Sequence, residues 1–188
     1  MVQRTEFSAP PVDRQVIFRC GLCRQPDEAT EELLDRCLNA ALPMLSYRVC
    51  WLEAPVTVRG SVCDFGDFQL TSRRLASHLA GCKTAVIFAA TIGLEMDRLI
   101  AKYSRLSPAM GLMLQAVGTE RIEALCDTFC ARFQNARPRF SPGYGDLKLS
   151  VQRIIFDRLD CPRQIGLTLS DSLIMSPSKS VTAILGLD

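Results

Sequence analysis

Within residues 139–146 the chain sets a permanent cation, two glycines and an aromatic hydroxyl side by side, in the run Arg139-Phe140-Ser141-Pro142-Gly143-Tyr144-Gly145-Asp146. These residue types suit a flat, charged ligand. A guanidinium offers a planar fork to a carboxylate, glycine lets backbone approach a ligand closely, and tyrosine joins an apolar ring to a polar tip. The same composition also builds a rigid surface turn, because Gly and Pro are common turn formers, and the residues alone leave both readings open. A second candidate lies upstream, where Glu120, Glu123 and Asp127 recur at i, i+3 and i+7. On a helix they share a face, so Glu123 is either a ligand contact or part of a solvated acidic stripe.

Other patterns carry less chemistry. Cys20 and Cys23 form a C-x-x-C, and Cys126 and Cys130 face one side of a helix. The second spacing is not that of a zinc knuckle, and no thioredoxin-like strand-helix-strand unit surrounds the first, so no metal site is expected. Ser176-Pro177-Ser178-Lys179 satisfies S-x-x-K without the K-T-G that would give it meaning. His78 is the only histidine, which excludes a multi-histidine metal site, and it is expected to be exposed on its helix. No Walker or G-x-G-x-x-G signature occurs.

The elements that must hold the loop can be read from periodicity and caps. A chain of 188 residues, 48% hydrophobic and 22% charged, has the length and composition of one packed domain, expected over residues 13–188. Residues 1–12, polar with Pro10 and Pro11, read as a flexible tail. Asp13 and Asp27 are placed to cap two helices, the second carrying the stripe Leu33, Leu34, Cys37, Leu38 and Ala41. Tyr47, Val49 and Trp51 alternate as a half-buried strand, with shorter strands expected at 56–59 and 67–70. Ser72 caps a helix ending at Gly81, and the apolar run 85–90 reads as a strand buried on both faces. After a helix at 94–103, Ser107-Pro108 opens a long helix to about residue 133, with Met110, Leu114, Gly118, Ile122, Leu125 and Phe129 on its core side. Gly118 costs about 1 kcal/mol against Ala there, which close packing would explain. Residues 134–148 hold too much turn chemistry for a regular element, and a short helix to Leu159 and strands at 165–169 and 181–185 complete the chain. Strands and helices mix without strict alternation, so the expected class is α+β with a mixed or antiparallel sheet and flanking helices.

Composition also excludes partners. With 22 Lys and Arg against 20 Asp and Glu, the formal net charge of +2 makes no case for nucleic acid or an anionic membrane. The apolar stretch 84–94 is shorter than the roughly 20 residues of a membrane helix. Nine cysteines without a secretory signal point to the reducing cytoplasm, where a free thiol behaves as a small buried hydrophobe.

Three blocks in succession, residues 139–146, the segment Ile165-Gly166-Leu167-Thr168-Leu169-Ser170-Asp171-Ser172, and Pro177-Ser178-Lys179-Ser180-Val181, resemble in order and spacing the activation (reactivation) domain family of cobalamin-dependent methionine synthase, in its short free-standing form. The first block carries that family's Arg-x-x-x-Gly-Tyr as Arg139, Gly143 and Tyr144. The second is similar to its Thr-Leu-Thr-Glu-Ser, with Ser170 and Asp171 as conservative departures. The resemblance is strongest over residues 120–187. It implies reductive methylation, in which a partner's cob(II)alamin gains one electron and takes a methyl group from S-adenosylmethionine, so that positioning dominates over acid–base chemistry.

By that resemblance Arg139 hydrogen-bonds S-adenosylmethionine, with Ser141 backbone, Gly143 and the more loosely matched Glu123 beside it, and Tyr144 reaches toward the corrin. The implied partners are a corrinoid-carrying methyltransferase, foremost methionine synthase, and a flavodoxin-like or ferredoxin-like reductant. The chain would serve as an accessory component of that enzyme. Two departures are expected to matter: fused family members continue past the position of Asp188 into a segment that gives a tyrosine to the methyl donor, and their N-terminal aspartate has no clear counterpart here. These leave a rival reading, a sensor or chaperone that keeps the fold without supporting methyl transfer, and a more distant one, an independent methyltransferase on a small substrate.

Overall fold

The computed structural model describes residues 1–23 and 25–188. In chain order its elements are β1 (Gln3–Phe7), α1 (Arg14–Cys20), α2 (Glu28–Ala41), β2 (Tyr47–Pro55), β3 (Thr57–Arg59), β4 (Val62–Asp64), β5 (Gln69–Thr71), α3 (Arg73–Leu79) and β6 (Thr84–Thr91). The second half runs α4 (Glu95–Leu106), α5 (Pro108–Cys130), α6 (Val151–Leu159), α7 (Cys161–Ile165), β7 (Thr168–Leu169), β8 (Met175–Ser176) and β9 (Ser180–Leu187).

The apolar run in β6 has no solvated face because it lies inside an antiparallel sheet ordered β1-β2-β6-β9, with Leu52 opposite Ile87 and Ile87 opposite Ile184. Alternation sends Val86, Phe88 and Ala90 into one core and Ala85, Ile87 and Ala89 into another. The first core is roofed by α1, α2, α4 and α5, and the second by α3, α6, α7 and a small three-stranded sheet of β3, β4 and β5. The protein is therefore α+β, with antiparallel sheets and flanking helices. No helix among the described residues is long and apolar enough to cross a membrane.

The caps act as their residue types require: Asp13 accepts from Val16 N–H at 3.0 Å, Asp27 from Thr30 N–H at 2.9 Å, and Ser72 from Leu75 N–H at 3.0 Å. Ser107 makes no such side-chain bond, and α5 stops at Cys130, about a turn short of the expected end. Gly118 is explained by Lys179, whose stem crosses α5 there. A Cβ on Gly118 would stand 3.0 Å from Lys179 Cε and from Met96 Cγ.

Three readings fail for identifiable reasons, and one strand was not foreseen. Residues 3–7 are not a loose tail, because β1 pairs with β2 from Gln3 opposite Trp51 to Phe7 opposite Tyr47. Ile165 closes the helix α7 instead of starting a strand, the turn being completed by Gly166 at φ +70°. β4, which was not foreseen, is held by its two neighbours. Glu120 is not solvated: it is buried with the fully buried Arg121, whose guanidinium donates to it and to the carbonyls of Pro10 (2.6 Å) and Pro11 (2.7 Å), while Glu120 accepts from Asp13 N–H at 3.0 Å. That pair straps the segment after β1 onto α5.

A buried ion pair is costly to break from one side only. Arg121→Met is expected to lower unfolding free energy by about 3–5 kcal/mol in urea titrations, with Arg121→Met/Glu120→Leu recovering part of the loss. A single variant within about 0.5 kcal/mol of the parent would contradict the strap.

Candidate functional site

After α5 the chain turns back along the outer edge of β9. Arg137 N–H donates to Gly186 carbonyl at 2.9 Å, and Phe140 and Ile184 exchange two backbone bonds of 2.9 Å each. This strip is pinned by Arg137, which donates to the His78 carbonyl (2.7 Å) and to Asp188 (3.1 Å), and by the Phe140 ring, 5.4 Å from the His78 ring. His78 is accordingly half-buried, not the exposed side chain its sequence position suggested.

On the same strip Arg139 reaches across to α5. Its guanidinium donates to Glu123 Oε2 at 2.5 Å and to Asp127 Oδ1 at 2.7 Å, two carboxylates that the four-residue helical spacing puts on one face. The Arg139 side chain is 23% exposed. Burial works against its charge, but Cys126, Glu123, Asp127 and Cys130 together outweigh that and raise its pKa further. Burial raises the Cys130 thiol in turn, with Arg139 partly offsetting it.

Upstream of Ile184 the strip parts from β9, and a cleft of about 280 Å³ opens. Glu123 comes from α5, Arg139, Ser141, Pro142 and Tyr144 from the loop, Gln152 from α6, Met175 from β8, and Ser180, Val181 and Thr182 from the uncovered stretch of β9. Ile184 turns both backbone groups outward to Phe140, and Gly186 turns its carbonyl outward to Arg137. In an antiparallel ladder every second residue faces the same way, so the N–H and C=O of Thr182 also face outward, toward the cleft. Two side-chain atoms in the lining residues are buried without a hydrogen-bond partner, Gln152 Oε1 and Thr182 Oγ1. Ser180 differs, since its hydroxyl donates to the Pro177 carbonyl at 2.8 Å and lies 2.9 Å from Thr91 Oγ1.

The loop holds its shape through its own backbone and one distant cap. Gly143 N–H donates to Leu147 carbonyl at 2.8 Å, and the Tyr144 N–H to the Ser141 carbonyl at 3.2 Å. Gly143 sits at φ +93°, a conformation glycine adopts freely, and a Cβ on Gly145 would meet Arg74 Cγ at 2.8 Å. Asp146 accepts from Ser72 Oγ, Arg73 N–H and Arg74 N–H, so the loop's last residue caps α3. These bonds, the Ser72 hydroxyl first, pull the Asp146 carboxyl down to about 2. Tyr144 stands at the rim, 65% exposed, with its ring 6.5 Å from that of Phe140.

Of the residues singled out in the sequence, Glu123, Arg139, Ser141 and Tyr144 line this one cleft, and Gly143 shapes the turn between the last two without lining it. Glu120 is elsewhere, in the strap. Cys126 is packed in the core under α5 while Cys20 is exposed on α1. Asp127 and Asp146 entered the sequence reading only as members of the acidic stripe and of the loop, and Gln152 and Thr182 did not enter it. The helical spacing already put Asp127 on the face of Glu123, whereas nothing local to Gln152 or Thr182 marks them. A wider groove of about 750 Å³ lies by α1 and α2, lined by residues such as Arg14, Phe18 and Glu31, and gathers of the sequence candidates only Cys23.

The fold has a counterpart among known proteins. No family model matches the chain, and no curated protein matches it in sequence. Among solved structures it is similar to a crystal structure of the MetH reactivation domain bound to AdoHcy, with a TM-score of 0.76 over 99% of this chain and 78% of that one. Identity is 15%, so the likeness is one of fold.

The Asp146 cap gives the loop a pH dependence of definite sign. A carboxyl whose folded pKa lies below its unfolded value of about 3.9 stabilises fully above that value, and the contribution is lost as pH falls toward about 2. Asp146→Asn is expected to lower the melting temperature at neutral pH and to flatten the acid limb between about pH 4 and 2. Parent and variant curves that stay parallel through that window would contradict the cap.

Proposed function

We propose that this protein binds S-adenosylmethionine in the cleft beside β9 and presents it to a corrinoid held by a partner, reactivating a cobalamin-dependent methyltransferase, foremost methionine synthase, in trans in the cytoplasm. The observation that carries this reading is the convergence of Glu123, Arg139, Ser141 and Tyr144 on one cleft of a protein with the reactivation-domain fold. The bound AdoHcy of the structural neighbour supports the nucleoside class of ligand.

The residues present fit such a ligand. Arg139 keeps N–H donors beyond the two directed at Glu123 and Asp127, enough to bind an amino-acid carboxylate, and Glu123 is placed to accept from an ammonium group. The loop's fixed turn and the open strand edge add backbone groups. At about 280 Å³ the cleft falls just under the roughly 300–1,000 Å³ of ordinary ligand pockets. The cleft is open at the rim where Tyr144 stands, as a methyl donor serving a second protein requires. When bound, the donor would supply a sulfonium methyl for the cobalt of the partner's corrinoid, its S–CH3 bond breaking to leave S-adenosylhomocysteine, with one electron from a flavodoxin-like or ferredoxin-like protein. This chain's part is to orient: Arg139 and Glu123 anchor the amino-acid end, and Tyr144 lies where the partner docks. The chain acts in this as one domain, with β1 part of its main sheet.

Isothermal titration with S-adenosylmethionine tests the binding step. Arg139→Ala is expected to weaken it at least tenfold, since a charge-assisted hydrogen bond contributes about 1.5–3 kcal/mol, and unchanged affinity would remove Arg139 from the site. Tyr144→Ala is expected to leave that affinity nearly intact. In a mixture of cob(II)alamin-loaded methionine synthase, reductant and S-adenosylmethionine, however, the same variant should slow formation of methylcobalamin. A parent protein that binds the donor yet leaves cob(II)alamin unchanged would point instead to a sensor or chaperone.

A further inference from the structure

Buried polar atoms without partners are rare, and each costs about 1–3 kcal/mol. Among the described residues six side-chain atoms are in that state, and two of them, Gln152 Oε1 and Thr182 Oγ1, belong to the cleft. Gln152 is 6% exposed and Thr182 2%. Both lie on the side of the sheet that α6 covers, since Thr182 alternates with Ile184 of that core. Thr182 adds its outward N–H and C=O on the one stretch of β9 that the strip does not cover.

We propose that Gln152 and the Thr182 edge form the base-recognition wall of the cleft, reading the amino and ring-nitrogen edge of an adenine. The inference rests on the nucleoside reading above and deepens it. Arg139 and Glu123 are charged and match the charged amino-acid end, and Tyr144 is at the rim. Of the uncharged donors and acceptors in the cleft, Ser141 sits on the loop two residues from Arg139, and those facing it across the opening form this wall, so it receives the heterocycle. A carboxamide offers an acceptor and a donor side by side, the complement of adenine's exocyclic amine and adjacent ring nitrogen. The terminal torsion of Gln152 is soft, so its oxygen turns toward an arriving N–H with little strain. The backbone carbonyl and N–H of Thr182 have fixed polarity, and they reject a base that presents a carbonyl in place of the amine. In the free protein the unpartnered atoms weaken the fold, and ligand supplies what they lack.

The test uses the full chain, two probes, S-adenosylhomocysteine and S-inosylhomocysteine, and the variants Gln152→Leu and Thr182→Val. By calorimetry the parent is expected to prefer the adenosyl probe by about tenfold or more, and Gln152→Leu to lose about tenfold of that affinity. Thr182→Val is expected to lose a smaller part. Without ligand, each variant should melt at the parent's temperature or about 2–4 °C higher, because an unpartnered buried atom has been removed. Gln and Thr acting only as structural residues would instead lower the melting temperature. If the parent binds both probes equally, or Gln152→Leu binds the adenosyl probe as tightly as the parent, the wall is wrong while the cleft stands as the site. If the parent binds neither probe, the nucleoside reading fails and this inference with it.

Discussion

The guanidinium of Arg139 is the joint on which the site depends. It ties the strip after α5 to the helix that strip has just left, through Glu123 at 2.5 Å and Asp127 at 2.7 Å. Exposed ion pairs contribute little to stability, about 0–1 kcal/mol, but an arginine holding two carboxylates in a plane is directional. The joint acts by placement: with Arg139 drawn to α5 and Phe140 paired to Ile184, the strip must leave β9 immediately upstream of that pair. The opening beside Ser180, Val181 and Thr182 is a consequence of that departure.

Two further constraints keep the opening in shape. The far end of the loop is fixed by Asp146 on the N-terminus of α3, an element from the other half of the chain. The far wall is fixed by α6 and by β9, whose strand neighbour β6 is buried from Ala85 to Thr91. A ligand in the cleft would therefore touch groups from a helix on each side of the sheet, from the loop and from the sheet edge. The same geometry makes the joint double-edged, because Glu123, which steadies Arg139, is in the proposed reading also the acceptor for an ammonium group. Binding would redistribute hydrogen bonds within a set already assembled, a form of preorganisation that lowers the ordering cost of recognition.

Much of the scaffold was legible in the sequence, since it follows from local chemistry. The caps at Asp13, Asp27 and Ser72, the doubly buried β6 and the apolar face of α5 all follow from residue type and period. What escaped is long-range. β1 has no strong strand pattern and forms because β2 offers an edge, and the buried Glu120–Arg121 pair looks like surface charge until the prolines above it supply carbonyl acceptors. The site divides in the same way. Arg139, Gly143 and Tyr144 are close enough in sequence to be seen together, whereas Asp146 matters through Ser72, and Gln152 and Thr182 matter only because α6 and β9 meet beside the loop.

The most direct measurement is a crystal structure of the protein grown with S-adenosylmethionine. The expected result is ligand density in the cleft, with its amino-acid end within hydrogen-bond reach of Arg139 and its sulfonium methyl directed outward past Tyr144. Ligand bound in the groove by α1 and α2, or a cleft that stays empty at saturating donor, would contradict the account.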